Sequence, residues 1–90
     1  MVSKTVTVNN PLGIHARPAA LIVQRAAKYS SEILLSNAEA QRVNGKSIMG
    51  VMMLAAEQGA QITVETEGAD EDEALIALVE LIESNFEDQS

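Results

Sequence analysis

The chain has 90 residues, 47% of them apolar, and a formal net charge of −7, which allows one small domain, residues 1–90, and leaves no room for a second. The absence of cysteine excludes disulfides and Cys-based zinc sites, and a single histidine argues against a histidine-rich metal site, so we expect neither metal nor cofactor. The negative charge disfavours a nucleic-acid partner, and no apolar run approaches the roughly 18 residues of a membrane span.

The first third of the chain predicts a strand, a turn and a helix. Residues 2–8 alternate between apolar and polar side chains, as in a half-buried strand. Residues 9–14 (NNPLGI) have the composition of a turn. Residues 16–28 predict a helix with Pro18 in its first turn, where the missing N–H breaks no intrahelical bond.

Two short strands and a second helix follow. We predict strands at 31–36 and 42–44, and a helix that has Ser47 as its N-cap and ends near Gly59. A core stripe of Val51, Leu54 and Ala55 leaves some of the other large apolar side chains exposed, namely among Ile48, Met49, Met52 and Met53. Deep packing of the whole helix is the alternative.

The last third predicts a strand at 60–67 and a helix that begins at Asp70. Glu73 lies three residues after Asp70, which predicts a start resembling a capping box. The apolar stripe of this helix has the spacing of a surface helix and consists of Leu75, Leu78, Val79, Ile82 and Phe86. The order βαββαβα therefore predicts an α+β domain, in which three helices cover one face of a four-stranded antiparallel sheet and the polar face stays open.

The only histidine, His15, directly precedes the first predicted helix. The first backbone N–H groups there, at Ala16 and Arg17, lack intrahelical acceptors and favour negative charge. A neutral imidazole is a nucleophile near pH 7, and a phosphoryl group on it would face these donors and the Arg17 guanidinium. The simpler interpretation is an unreactive cap or surface histidine. General acid–base catalysis is disfavoured, since the nearest acid in the sequence is Glu32.

Charged and apolar residues predict a docking surface near His15. Residues 1–50 carry a formal charge of +4 and residues 51–90 a charge of −11. The predicted docking surface combines residues of the first and second helices: Leu21, Gln24, Ile48, Met49 and Met52. Such a patch, ringed by cations of the first helix, fits an acidic protein partner, whereas chance plus an acidic last helix is the alternative. Phosphate on Ser47 would add about two negative charges beside it and hinder that partner.

Two motifs resemble those of a known family. "GIHARPAA" is similar to the active-site signature of HPr, the histidine phosphocarrier of the bacterial phosphoenolpyruvate:sugar phosphotransferase system, and "KSIMGVMMLAAEQG" is similar to its regulatory-serine signature. The resemblance extends over essentially the whole chain and implies an open-faced β-sandwich with strand order 1-4-2-3. The loop at 36–42 is slightly longer than in the commonest members, which places the serine at 47.

The resemblance also implies a function and partners. His15 would accept a phosphoryl group on Nδ1 from phosphorylated enzyme I, with Arg17 as the phosphoryl-binding partner, and would pass it to a IIA protein or domain. The chain would be a carrier rather than an enzyme, and an ATP-dependent HPr kinase, where one exists, would phosphorylate Ser47. His15 argues against the family's catabolite-repression branch, which lacks this histidine.

Two alternatives remain at this point. The first is a carrier of the nitrogen-related branch of the phosphotransferase system, with a mainly regulatory output. The second is a small regulatory module that binds a metabolite or dimerises through its open sheet face, which the Thr and Glu side chains of that face disfavour. We expect a cytoplasmic protein, because the chain begins MVSKTVTV and lacks the apolar block of a signal peptide. We also expect a monomer, because the Thr and Glu side chains of the open sheet face disfavour pairing through it.

Overall fold

Four strands and three helices follow one another in the predicted order βαββαβα within the described part of the chain. The computed structural model describes residues 1–11, 13–39, 42–54, 57–84 and 86. Its elements are β1 (Val2–Thr7), α1 (Ala16–Ala26), β2 (Glu32–Ser36), β3 (Arg42–Asn44), α2 (Ile48–Met53), β4 (Gln61–Glu67) and α3 (Glu71–Glu83).

The strands form one antiparallel sheet in the order β1-β4-β2-β3. The register pairs Val6 with Ile62 and Leu35 with Val64, so the apolar side chains of neighbouring strands lie on the same face. All four of these side chains are buried, whereas their neighbours along each strand are exposed or partly exposed. The predicted strand order and α+β class are confirmed, and the helices cover the apolar face.

Each helix contributes fully buried side chains to the core. Ile22 of α1, Val51 of α2 and Leu78 of α3 have no solvent-exposed surface. Burying an aliphatic side chain of this size stabilises a fold by about 1.5–3 kcal/mol. The core is therefore aliphatic, as the near absence of aromatic residues requires, with Phe86 buried at its edge.

The open face of the sheet is held by polar contacts between strands. The hydroxyl oxygens of Thr5 and Thr63 lie 2.8 Å apart, and Arg42 Nη2 of β3 lies 2.9 Å from Glu65 Oε1 of β4. Arg42 therefore pairs across the open sheet face.

Two helices are shorter than predicted. After Ala26, the amides of Lys28 and Tyr29 bond carbonyls only three residues back, at 3.2 and 3.1 Å, so α1 tightens into a turn. The amide of Leu54 does the same with Val51 at 3.2 Å, and α2 ends at Met53 instead of near Gly59. Val51 and Leu54 are buried as predicted, whereas Ala55 lies outside the described residues.

The predicted capping box at α3 is wrong. Asp70 is the N-cap residue, but its side chain makes no capping bond. Its carboxylate instead accepts hydrogen bonds from the amides of Ser30 and Ser31, at 3.0 and 2.9 Å, and from the Ser31 hydroxyl. These bonds, that of the Ser31 hydroxyl first, hold the pKa of Asp70 below its usual value, and they tie the start of α3 to the loop before β2.

Candidate functional site

The loop between β1 and α1 presents His15 to solvent between buried anchors. Val8 is fully buried and exchanges backbone hydrogen bonds of 2.8 and 2.7 Å with Ala60 and Gly59, which extends the pairing beside β4. Ile14 is buried immediately before the histidine, and Pro18 is buried three residues after it. His15 itself is exposed. The backbone on both sides is thus fixed to the core while the imidazole remains accessible.

The start of α1 leaves two backbone donors without an intrahelical acceptor. His15 is the N-cap residue, with extended backbone angles (φ −115°, ψ −163°), and its side chain does not cap the helix. The carbonyl of His15 accepts the first intrahelical bond, 2.9 Å from the amide of Ala19. Pro18 has no N–H, so the amides of Ala16 and Arg17 are the donors of the first turn that carry partial positive charge.

Arg17 is exposed at the start of α1, directly before the buried Pro18. Arg17 is exposed, and the ion pairs shown by the described residues involve other side chains. A guanidinium in this position has its five N–H donors available for an anion. The structure thus brings together His15, Ala16 and Arg17, the three residues predicted for a phosphoryl site.

Ser47 is the N-cap of α2, as predicted. Its hydroxyl oxygen accepts a hydrogen bond of 3.1 Å from the amide of Gly50, and its carbonyl accepts the first helical bond, from Val51. Ser47 is partly exposed. Its oxygen therefore has a structural role that is independent of any modification.

The large apolar side chains of α2 predicted as partly exposed all lie on the surface. The exposed fractions are 43% for Ile48, 73% for Met49, 44% for Met52 and 60% for Met53. The alternative of deep packing is wrong. On α1, which packs against α2, Gln24 is exposed and Leu21 is half-buried against the core. The residues of the predicted docking surface therefore come from two neighbouring helices.

One nearby cation has a structural task. Lys46 Nζ donates to the carbonyl of Tyr29, at 2.7 Å, and so joins the loop before α2 to the loop after α1. The ammonium group of Lys46 is thereby held at one position near the start of α2.

Two structural features of the site were not predicted. The side chain of Asn10 is buried, although turn residues are usually exposed, and it donates to the carbonyl of Gly13. Asn followed by Pro and, three residues on, Gly is the composition of a β-turn, and this signal could have indicated the contact.

The described residues contain no group of acidic and histidine side chains that could hold a metal ion, and no helix among them is long and apolar enough to cross a membrane.

An exposed imidazole at the start of a helix, beside an exposed arginine, is an arrangement that can hold an anionic group. Comparison with known proteins identifies which kind. Residues 2–84 match the family model described as "PTS HPr component phosphorylation site". The chain belongs to the HPr family, and its class is the phosphocarrier of the phosphotransferase system, which carries a phosphoryl group and is not an enzyme.

Similar proteins cover nearly the whole chain. The phosphocarrier protein HPr of Treponema pallidum is 51% identical over 99% of this chain and 100% of its own. The crystal structure of HPr from Thermoanaerobacter tengcongensis is 50% identical, covers 96% of both chains and superposes with a TM-score of 0.90. The HPr-like protein Crh of Halalkalibacterium halodurans is 51% identical over 92% of this chain and 98% of its own.

Proposed function

We propose that His15 is the residue that accepts and releases the phosphoryl group. A nitrogen of the neutral imidazole, Nδ1 by analogy with the family, attacks the phosphorus held by phosphorylated enzyme I. A phosphorus–nitrogen bond forms on His15 while the bond to the donor atom of enzyme I breaks and its electron pair stays with that atom. Transfer to a IIA protein or domain is the same step with His15 as the leaving group.

The observation that carries this proposal is the placement of an exposed, non-capping imidazole at a helix start that has two free amide donors. The amides of Ala16 and Arg17 favour the negative charge of a phosphoryl group. The Arg17 guanidinium adds charge-assisted hydrogen bonds to its oxygens. The phosphohistidine is therefore stabilised by residues that need no rearrangement of the fold.

The test is a mass spectrum after incubation with phosphoenolpyruvate and enzyme I. The chain should gain one acid-labile phosphate, and His15→Ala should gain none. The matched control is Ser47→Ala, which removes the other predicted phosphorylation site and should still gain the phosphate. Phosphate on the His15→Ala chain would overturn the assignment.

We propose that enzyme I and IIA proteins or domains bind at the docking surface. Its exposed Ile48, Met49 and Met52 form adaptable apolar contacts, and the cations of α1 favour acidic partners. A partner bound there would contact α1, the helix that His15 begins, because Leu21 and Gln24 belong to α1 and α1 packs against α2.

Phosphorylation of Ser47 is proposed as the regulatory step, where an HPr kinase is present. The hydroxyl is partly exposed and begins α2, so a phosphate there would lie beside Ile48 and Met49. It would carry about two negative charges and would repel an acidic partner while the helix start tolerates it.

The remaining proposals concern the branch and state of the protein. We propose a single-domain cytoplasmic monomer in the sugar branch, with a carrier of the nitrogen-related branch as the alternative. Transfer rates to sugar-type and nitrogen-type IIA proteins separate the two branches. The related Crh of Bacillus subtilis crystallises as a dimer with a swapped domain, so sedimentation of this chain tests the monomer directly.

A further inference from the structure

The turn that precedes His15 contains a buried polar side chain that the phosphoryl site does not use. Asn10 is 8% exposed, and its carboxamide nitrogen donates to the carbonyl oxygen of Gly13. Its own backbone carbonyl accepts from the amide of Gly13 at 3.0 Å. The two groups of Asn10 thus hold both the N–H and the C=O of the same glycine.

This pair of bonds, called the clamp below, fixes Gly13, the residue of the loop with the widest range of backbone conformations. The N–H of Gly13 belongs to the peptide plane before its α-carbon and the C=O to the plane after it, so holding both fixes φ and ψ. Gly13 adopts φ 69°, a conformation open to glycine with little strain, and without the clamp it would have a wide choice of others. The clamp therefore sets the direction in which the chain leaves Gly13 toward Ile14 and His15.

The buried carboxamide of Asn10 has a cost that an apolar residue would avoid. Its oxygen Oδ1 is buried and finds no hydrogen-bond partner. An unpaired buried acceptor is unfavourable, and in a native protein such a group calls for an explanation. The hydrogen bond that the other half of the same carboxamide makes to Gly13 provides one.

We propose that Asn10 is a positioning residue for phosphoryl transfer, which acts by locking Gly13 so that the His15 imidazole is held at the start of α1. The inference rests on the proposed function of His15. The loop is anchored upstream, since Gln58 Nε2 donates to the carbonyl of Asn9 at 3.1 Å, so loss of the clamp loosens the chain between Asn10 and the start of α1 rather than upstream of it. The docking surface on α1 and α2 lies outside that segment and stays intact.

The test measures phosphoryl transfer from enzyme I to Asn10→Ala and to the nearly isosteric Asn10→Asp, whose carboxylate cannot donate to Gly13. Misplacing a reacting group by about 1 Å costs on the order of a hundredfold in rate. We expect kcat to fall by about tenfold to a hundredfold in both variants, with KM for the carrier unchanged because docking is preserved. Unchanged kcat, or a loss confined to KM, would overturn the proposal.

A control separates positioning from general destabilisation. Ser31→Ala removes the hydroxyl bond to Asp70 beyond the far end of α1, roughly 16 Å along the helix from His15, and should keep the parent kcat at a temperature where all variants are folded. Equal slowing in Ser31→Ala and Asn10→Ala would contradict a positioning role. If the parent chain itself accepts no phosphate, the proposed function fails instead.

A measurement on the unsubstituted chain keeps the test independent of folding. The carboxamide protons of Asn10 should exchange with solvent far more slowly than those of Gln24, because the first group is buried and bonded and the second is exposed. Equal exchange rates for the two carboxamides would show that the clamp is open in solution and would refute the inference.

Discussion

Ser47 combines a cap with a predicted regulatory site, and two substitutions separate these roles. Ser47→Ala removes the oxygen that accepts from the Gly50 amide at 3.1 Å. Loss of an N-cap of this kind costs about 1 kcal/mol in the free energy of unfolding, within a range of about 0.5–2 kcal/mol. For a domain of this size, 1 kcal/mol corresponds to a fall in Tm of about 4–8 °C. The alanine adds no charge, so phosphoryl transfer should continue at the parent rate.

Ser47→Asp should have the opposite pattern. Aspartate is also a good N-cap, and its negative charge is favourable at a helix start, so Tm should stay close to that of the parent. The same charge lies beside the docking surface and repels an acidic partner, so transfer from enzyme I should slow. Because charges at the rim of an interface act mainly on the association rate, the slowing should shrink as salt is added.

The assay measures Tm by thermal unfolding and the rate of phosphoryl transfer from enzyme I at low and at high salt, for the parent and both variants. The expected outcome is a lower Tm with an unchanged rate for Ser47→Ala, and an unchanged Tm with a slower, salt-sensitive rate for Ser47→Asp. The reasoning is refuted if Ser47→Asp transfers as fast as the parent, or if its slowing is the same at both salt concentrations.

Three further predictions concern the fold and the docking surface. Asp70→Asn should lower the free energy of unfolding at pH 7 and weaken the decrease of that free energy in acid, as measured by urea unfolding at several pH values. Because folding lowers the pKa of Asp70, its carboxylate stabilises the fold above about pH 4, and this stabilisation is lost as the pH falls through the folded-state pKa. Gly68→Ala should cost about 1–3 kcal/mol in urea unfolding, because φ is 150° and an added Cβ would lie 2.8 Å from Ser31 Cα; a cost below that of an ordinary surface substitution would contradict the contact. Met49→Glu should leave Tm unchanged, since Met49 is 73% exposed, and raise KM for transfer from enzyme I, and an unchanged KM would remove Met49 from the docking surface.

The buried side chains of periodic segments could be predicted from the sequence, because contact with the core alone decides which face of such a segment is apolar. β4 alternates as predicted, with Ile62 and Val64 buried, and α3 buries Leu78, Val79 and Ile82 of its predicted stripe. In both segments the position of each side chain follows from the period of the element and from the presence of a core. The same logic correctly exposes the methionines of α2, since a helix against a sheet buries only one side.

The features that the sequence does not reveal depend on partners far along the chain or on competition between local bonds. Asp70 has the local pattern of a cap, but its carboxylate is taken by Ser30 and Ser31, about 40 residues earlier, and that contact exists only after the sheet and helices assemble. α2 stops early because its last amide forms the tighter three-residue bond, a difference of geometry that propensities do not resolve.

The residues of the candidate site could be predicted from the sequence, but the contacts that hold them in place could not. His15, Ala16 and Arg17 are adjacent in the sequence, and Pro18 marks the helix start beside them, so their grouping follows from one local element. The turn composition indicates the bond between Asn10 and Gly13, but the burial of Asn10 depends on how the turn packs into the protein, which composition does not indicate. The residues of the candidate site therefore follow from one short segment of sequence, whereas the contacts that fix the loop before His15 depend on the whole fold.

The most direct measurement compares the backbone amide NMR shifts of the chain before and after phosphorylation by enzyme I. If the phosphoryl group on His15 rests against the start of α1, the amides of Ala16 and Arg17 should show the largest changes, which should reverse when the phosphate is transferred to a IIA protein. Phosphorylation that leaves these two amides unmoved, or moves them less than those around Ser47, would contradict the account.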